Sequence, residues 1–163
     1  MIAPLLALAA AAPAVAELRF ADEPWRLALQ LDDMKPFEGA PSSPGRRVFS
    51  YSNGKGWVLS VIVENAQAPA TLAGCRDVFD RRKQGGNAGF APVDEVQGQR
   101  GDAATQEFDV KGELQGRPFV MHNSYSCRVR GTYYIDVHAS KIPYLPSDHD
   151  ALWALVDRVK IIE

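Results

Sequence analysis

Cysteine is the scarcest chemistry in this chain. Of 163 residues only Cys75 and Cys127 carry thiols, so at most one disulfide can form within it. Long apolar runs are just as rare. After residue 16 no stretch approaches the roughly twenty apolar residues that a membrane span needs, and no span is expected. No basic cluster stands out against a formal net charge of −2. The densest basic run, Arg81-Arg82-Lys83, follows Asp77 and Asp80 and reads as a solvated helix face, so no nucleic-acid partner is expected. Catalytic signatures are missing as well. There is no Gly-x-Ser-x-Gly nucleophile turn, no paired-carboxylate or cofactor motif, and no Gly-Lys-Ser/Thr ending to the glycine-rich stretch 85–92, so that stretch does not match a phosphate-binding loop.

What is present begins at the first residue. Residues 1–16 are almost entirely Ala, Leu, Ile, Val and Pro, and they close on Ala14-Val15-Ala16 before Glu17. This is the apolar segment and small-residue cleavage site of a secretory signal peptide. No Lys or Arg precedes the run, which an upstream start or a misassigned Met1 would explain; the competing reading is a short buried helix. No cysteine sits at the cleavage point, so a lipid anchor has no support. Cleavage after Ala16 leaves residues 17–163 as one domain, periplasmic or secreted. Export goes with an oxidising compartment. Cys75 and Cys127 are therefore expected to form a disulfide that stabilises the fold by roughly 3–4 kcal/mol on the chain-entropy description; the alternative is two separate buried thiols.

The hydrophobic pattern gives the elements. Residues 17–22 are expected to be loose. Trp25, Leu27, Leu29 and Leu31 alternate with polar or small neighbours, the period of a strand with one buried face. Residues 35–45 hold three prolines and two glycines and read as a loop. Strands are expected at 47–52 and 57–64, joined at Asn53-Gly54, the second apolar enough to be covered on both faces. Thr71 suits a helix N-cap, with Leu72, Cys75, Val78 and Phe79 on the buried stripe. Strands follow at 93–99, 104–114, 118–128 and 132–140, with turns at Gln115-Gly116 and around Arg130-Gly131. A last helix is capped by Ser147, with Asp150 three residues on, and its stripe is Leu152, Leu155, Val156 and Val159.

The sum is α+β, a mainly antiparallel β-sheet flanked by helices. This element order, together with the run Tyr134-Ile135-Asp136-Val137-His138-Ala139-Ser140-Lys141 before the capped helix, resembles the PsbP-like α/β/α sandwich family, which includes many small exported bacterial proteins. The resemblance implies a non-enzymatic accessory or binding role, and fold alone does not fix function.

Candidate chemistry gathers on the last hairpin. A three-residue loop at 129–131 would pair Ser126 with Tyr134, Ser124 with Asp136 and His122 with His138. It would put Phe119, Met121, Tyr125 and Cys127 on one apolar face with Tyr133, Ile135, Val137 and Ala139. On the other face His122 and His138 can then share a divalent metal, with Asp136 holding or supplementing them; the alternative is an ordinary polar face. Asp148, His149 and Asp150 form a second small polar cluster; metal binding is the lesser reading there, because the first turn of the helix, where carboxylates favour the positive dipole end, explains them. Tyr134 and Tyr144 are the aromatics expected to face a ligand or partner rather than the core. The expected function is an exported non-catalytic accessory or binding protein, with no cofactor unless a divalent metal. The alternatives are a metal-binding protein or metal-dependent hydrolase built on the histidine pair, and an interaction protein whose unknown partner meets residues 85–92 or the aromatic end.

Overall fold

The computed structural model describes residues 15–20, 23–84 and 91–163. Most of the expected signal segment and most of the stretch 85–92 lie outside the described residues. The strands are β1 (Val15–Arg19), β2 (Arg26–Gln30), β3 (Lys35–Pro36), β4 (Arg46–Ser52), β5 (Trp57–Asn65), β6 (Pro92–Arg100), β7 (Ala103–Leu114), β8 (Arg117–Arg130), β9 (Tyr133–Lys141) and β10 (Val159–Ile162). The helices are α1 (Leu72–Gln84) and α2 (His149–Val156), the latter preceded by a 3-10 turn at Pro146–Asp148. Among the described residues the strands form two antiparallel sheets. The larger runs β3-β4-β5-β9-β8-β7-β6 and the smaller β1-β2-β10.

Two cores lie on opposite faces of the large sheet. On one face, Leu59, Val61 and Val63 of β5 and Ile135, Val137 and Ala139 of β9 meet Leu27 and Leu29 of β2, Val159 of β10, and Leu152, Leu155 and Val156 of α2. Burying each such aliphatic side chain is worth about 1.5–3 kcal/mol, so this layer dominates the stability. On the other face, Cys75 and Phe79 of α1 cover Ala104 of β7 and Cys127 of β8. A Cys75–Cys127 disulfide fastens helix to sheet, with 5.7 Å between the Cα atoms. Thr71 caps α1: its hydroxyl accepts the Gly74 N–H at 3.1 Å.

Several expectations are corrected here. Residues 17–19 are ordered in β1, where Ala16 pairs with Leu29 and Leu18 with Leu27, so the expected cleavage point falls within a strand. Lys35–Pro36 pairs with Tyr51 and Ser52 inside the expected loop. Ser147 is not the cap of the last helix; it lies in the 3-10 turn, and α2 begins two residues later. Val159 belongs to β10, not to a helical stripe. The helical layers are also thin: each face of the large sheet carries one short helix, and the α2 face is closed with the help of a second sheet.

The most consequential correction is the β8–β9 register. The turn is the two-residue Gly131-Thr132, so Arg130 pairs with Tyr133, Cys127 with Asp136, Tyr125 with His138 and His122 with Lys141. The displacement from the expected pairing is odd, and an odd slip reverses every side chain of one strand relative to the other. Cys127 therefore shares a face with Asp136 and His138, and His122 with Val137 and Ala139.

Candidate metal centre

The face that carries α2 also carries the convergent polar chemistry. Across β7 and β8, Asp109 stands directly opposite His122, and Glu107 lies two residues along on the same side. Beyond β9 the chain turns back, and the Tyr144 N–H donates to the Val120 carbonyl at 2.9 Å. That bond seats the Tyr144 ring on His122, with 4.5 Å between centroids and 18° between planes. The Asp148 carboxylate then accepts the Leu145 N–H at 2.9 Å, and α2 opens at His149, whose imidazole swings back over β7.

These side chains meet at one oxygen. Glu107 Oε2 lies 3.1 Å from His122 Nε2 and 2.8 Å from His149 Nε2. The other ring nitrogen of His122, Nδ1, is 2.6 Å from Asp109 Oδ1. One donor atom each from Glu107, His122 and His149 falls within 4.8 Å of the others. Two imidazoles and a carboxylate are a donor set for borderline first-row ions such as zinc. A carboxylate on the far nitrogen of a ligating histidine is the usual partner that fixes its orientation. The local field suits a cation too: partial burial, followed by the negative charges of Asp109, Glu107 and Asp148, raises the pKa of the Tyr144 hydroxyl above its ordinary value. The His149 side chain remains 43% exposed, so solvent reaches the cluster.

Of the residues expected to form a site, His122 and Tyr144 are here. His138 and Asp136 are not. They lie on the opposite face of the sheet under α1, so no ion can be shared by His122 and His138. His138 is half-buried there. Its Nε2–H donates to Asn123 Oδ1 at 3.0 Å, and burial, with a lesser contribution from the positive charge of Arg82, lowers its pKa to about 4. Asp136 is 1% exposed and 3.4 Å from Arg82 Nε. Burial raises its pKa to about 6 despite that guanidinium. Tyr134 also faces α1, with its hydroxyl against Gly74, and does not reach Glu107, His122 and His149. The sequence pattern places His149 at a helix start and does not single out Glu107 or Asp109. The signal for the carboxylates is the alternation Gln106-Glu107-Phe108-Asp109-Val110, which puts two acids on one face of a strand.

No protein-family model matches the chain, and no curated protein matches it. Among solved structures, it is similar to LpqN of Mycobacterium tuberculosis, described as involved in cell envelope biogenesis. The alignment covers 87% of this chain and 94% of that one, with 10% identity and a TM-score of 0.44. The PsbP-like assignment thus has no family match behind it. Among the described residues no helix is long and apolar enough to cross a membrane.

Proposed function

We propose that this protein is an exported, non-catalytic accessory protein of PsbP-like arrangement that binds a divalent first-row transition metal through Glu107, His122 and His149. The observation that carries the reading is the single carboxylate oxygen, Glu107 Oε2, held between the Nε2 atoms of two imidazoles. An ion at about 2 Å from each donor would replace those hydrogen bonds. Asp109 would then orient His122, and Tyr144 would wall one side. Export is supported by the apolar leader ending in Ala-Val-Ala and by the disulfide, which belongs to an oxidising compartment. No catalytic motif in the sequence competes with a binding role.

Cobalt substitution tests the ligand set. Titrating the oxidised protein with Co(II) is expected to produce visible d–d absorption that saturates at one ion per chain. Glu107→Gln and His149→Ala are expected to abolish it, and His138→Gln to leave it in place. An absence of absorption, or a band indifferent to Glu107 and His149, would rule the site out.

A further inference from the structure

Ser124 of β8 stands directly opposite Glu107 of β7. Residues so paired carry their side chains on the same face, with Cβ atoms about 5 Å apart. Ser124 is also two residues from His122 along β8, which puts it on the His122 face of the sheet. Its neighbour on the other side is Ala139 of β9, whose side chain offers no polar atom. Ser124 is 0% exposed, and its buried Oγ has no hydrogen-bond partner among the described residues. A buried hydroxyl without a partner costs stability. Native folds hold few such groups, and each calls for a reason such as an ion or a functional role.

The two histidines of the cluster each have a carboxylate at the far ring nitrogen. Asp109 Oδ1 is 2.6 Å from His122 Nδ1, and Asp150 Oδ1 is 3.5 Å from His149 Nδ1. Glu107 differs. Among the described residues both of its bonds, to His122 and to His149, fall on Oε2. Oε1 is the oxygen left over, and the residue paired with Glu107 is a serine whose hydroxyl can donate to a carboxylate.

We propose that Ser124 is the positioning residue for Glu107, an inference that rests on the metal reading given above. With a divalent ion on Oε2, the Ser124 hydroxyl donates to Oε1 and holds the carboxylate to ligation through one oxygen. The ion then has two imidazole nitrogens and one carboxylate oxygen, which suits four-coordinate zinc or cobalt with one further ligand. A carboxylate released from Ser124 can chelate through both oxygens, which suits ions that take more oxygen donors, such as manganese. Ser124 thereby sets metal preference as well as affinity.

The test compares the oxidised parent with Ser124→Ala, with a chelator and with metal. In chelator the variant is expected to melt at the parent's temperature or above it, because the hydroxyl removed makes no bond there. Competition with a chromophoric chelator is expected to show zinc held about ten- to a hundredfold more weakly by the variant, the usual loss when a ligand's orienting partner is removed. Manganese affinity is expected to fall much less. The d–d absorption of the Co(II)-loaded variant is expected to lose intensity as the coordination number rises. Equal zinc affinity in a variant and a parent that both bind zinc would overturn the role of Ser124 and leave the metal centre standing. A parent that binds no zinc would overturn both. A variant that melts lower in chelator would show the hydroxyl bonded within the fold and would also overturn the proposal.

Discussion

Tyr125 and His138 stand opposite each other across β8 and β9 and stack ring on ring, 4.1 Å between centroids and 5° between planes. Phe108 continues the stack on the other side of Tyr125 at 5.6 Å and 18°, and Phe79 of α1 meets Tyr125 edge-on at 5.9 Å. This aromatic layer leaves His138 half-buried, and Asp136, two residues back on the same face, is 1% exposed. Both groups are driven towards their neutral forms, one by losing a proton and the other by keeping it.

The two shifts act on stability with opposite signs. The folded chain keeps a proton on Asp136 up to about pH 6, whereas the unfolded chain releases it near 3.8, so this group favours folding less as pH rises through that window. His138 takes up its proton near 6.5 when unfolded and only near 4 when folded, so this group favours folding less as pH falls through the window. Relative to the parent, Asp136→Asn should therefore gain stability from pH 4 to pH 6, and His138→Gln should gain it in the reverse direction, each by on the order of 3 kcal/mol. Urea denaturation across the window checks this, and curves that move in parallel would contradict it.

The disulfide spans 52 residues of sequence. A loop of that length costs the cross-linked unfolded chain about 4 kcal/mol of conformational freedom on the entropy description. Replacing Cys75 and Cys127 together by alanine should lower the urea midpoint by a matching amount, and reducing the parent protein should give a similar loss. Equal midpoints for oxidised and reduced protein would show that α1 is held by packing alone.

Gly74 of α1 packs against Tyr134 of β9, whose hydroxyl occupies the space a Cβ would need. Alanine normally favours a helix by up to about 1 kcal/mol over glycine. Here Gly74→Ala should instead destabilise by about 1–3 kcal/mol through overpacking, and adding Tyr134→Phe should recover part of the loss. Thermal melts of the single and double variants separate steric cost from helix propensity.

Most element positions were legible because the apolar period, Asn53-Gly54, Gln115-Gly116 and Thr71 each carry a local signal. Both turn residues Gln115 and Gly116 do adopt positive φ, 53° and 76°. The β8–β9 register was not legible. Alternation fixes a register only when one face is polar, and here both faces are covered: Tyr125 and Cys127 by α1, and Ile135 and Val137 by the α2 layer. Gly131 is left-handed at φ 57°, as a three-residue loop would also require, so the turn residue could not decide between the two pairings. The disulfide was legible because two cysteines admit one bridge and the apolar leader makes an oxidising compartment the expectation, although Cys127 faces away from Tyr133, Ile135, Val137 and Ala139. The Glu107, His122 and His149 cluster was half legible. His122 and Tyr144 stood out by type, but Glu107, Asp109 and His149 come from elements whose juxtaposition depends on the tertiary fold.

The measurement that bears most directly on metal binding is calorimetric titration of the oxidised protein with Zn(II), compared with His149→Ala, Asp109→Asn and His138→Gln. One ion per chain is expected in the parent. His149→Ala should remove most of the affinity, Asp109→Asn should lower it by about ten- to a hundredfold as the loss of an orienting carboxylate does, and His138→Gln should bind like the parent. An absence of zinc binding, or equal binding in His149→Ala and the parent, would contradict a metal centre at Glu107, His122 and His149.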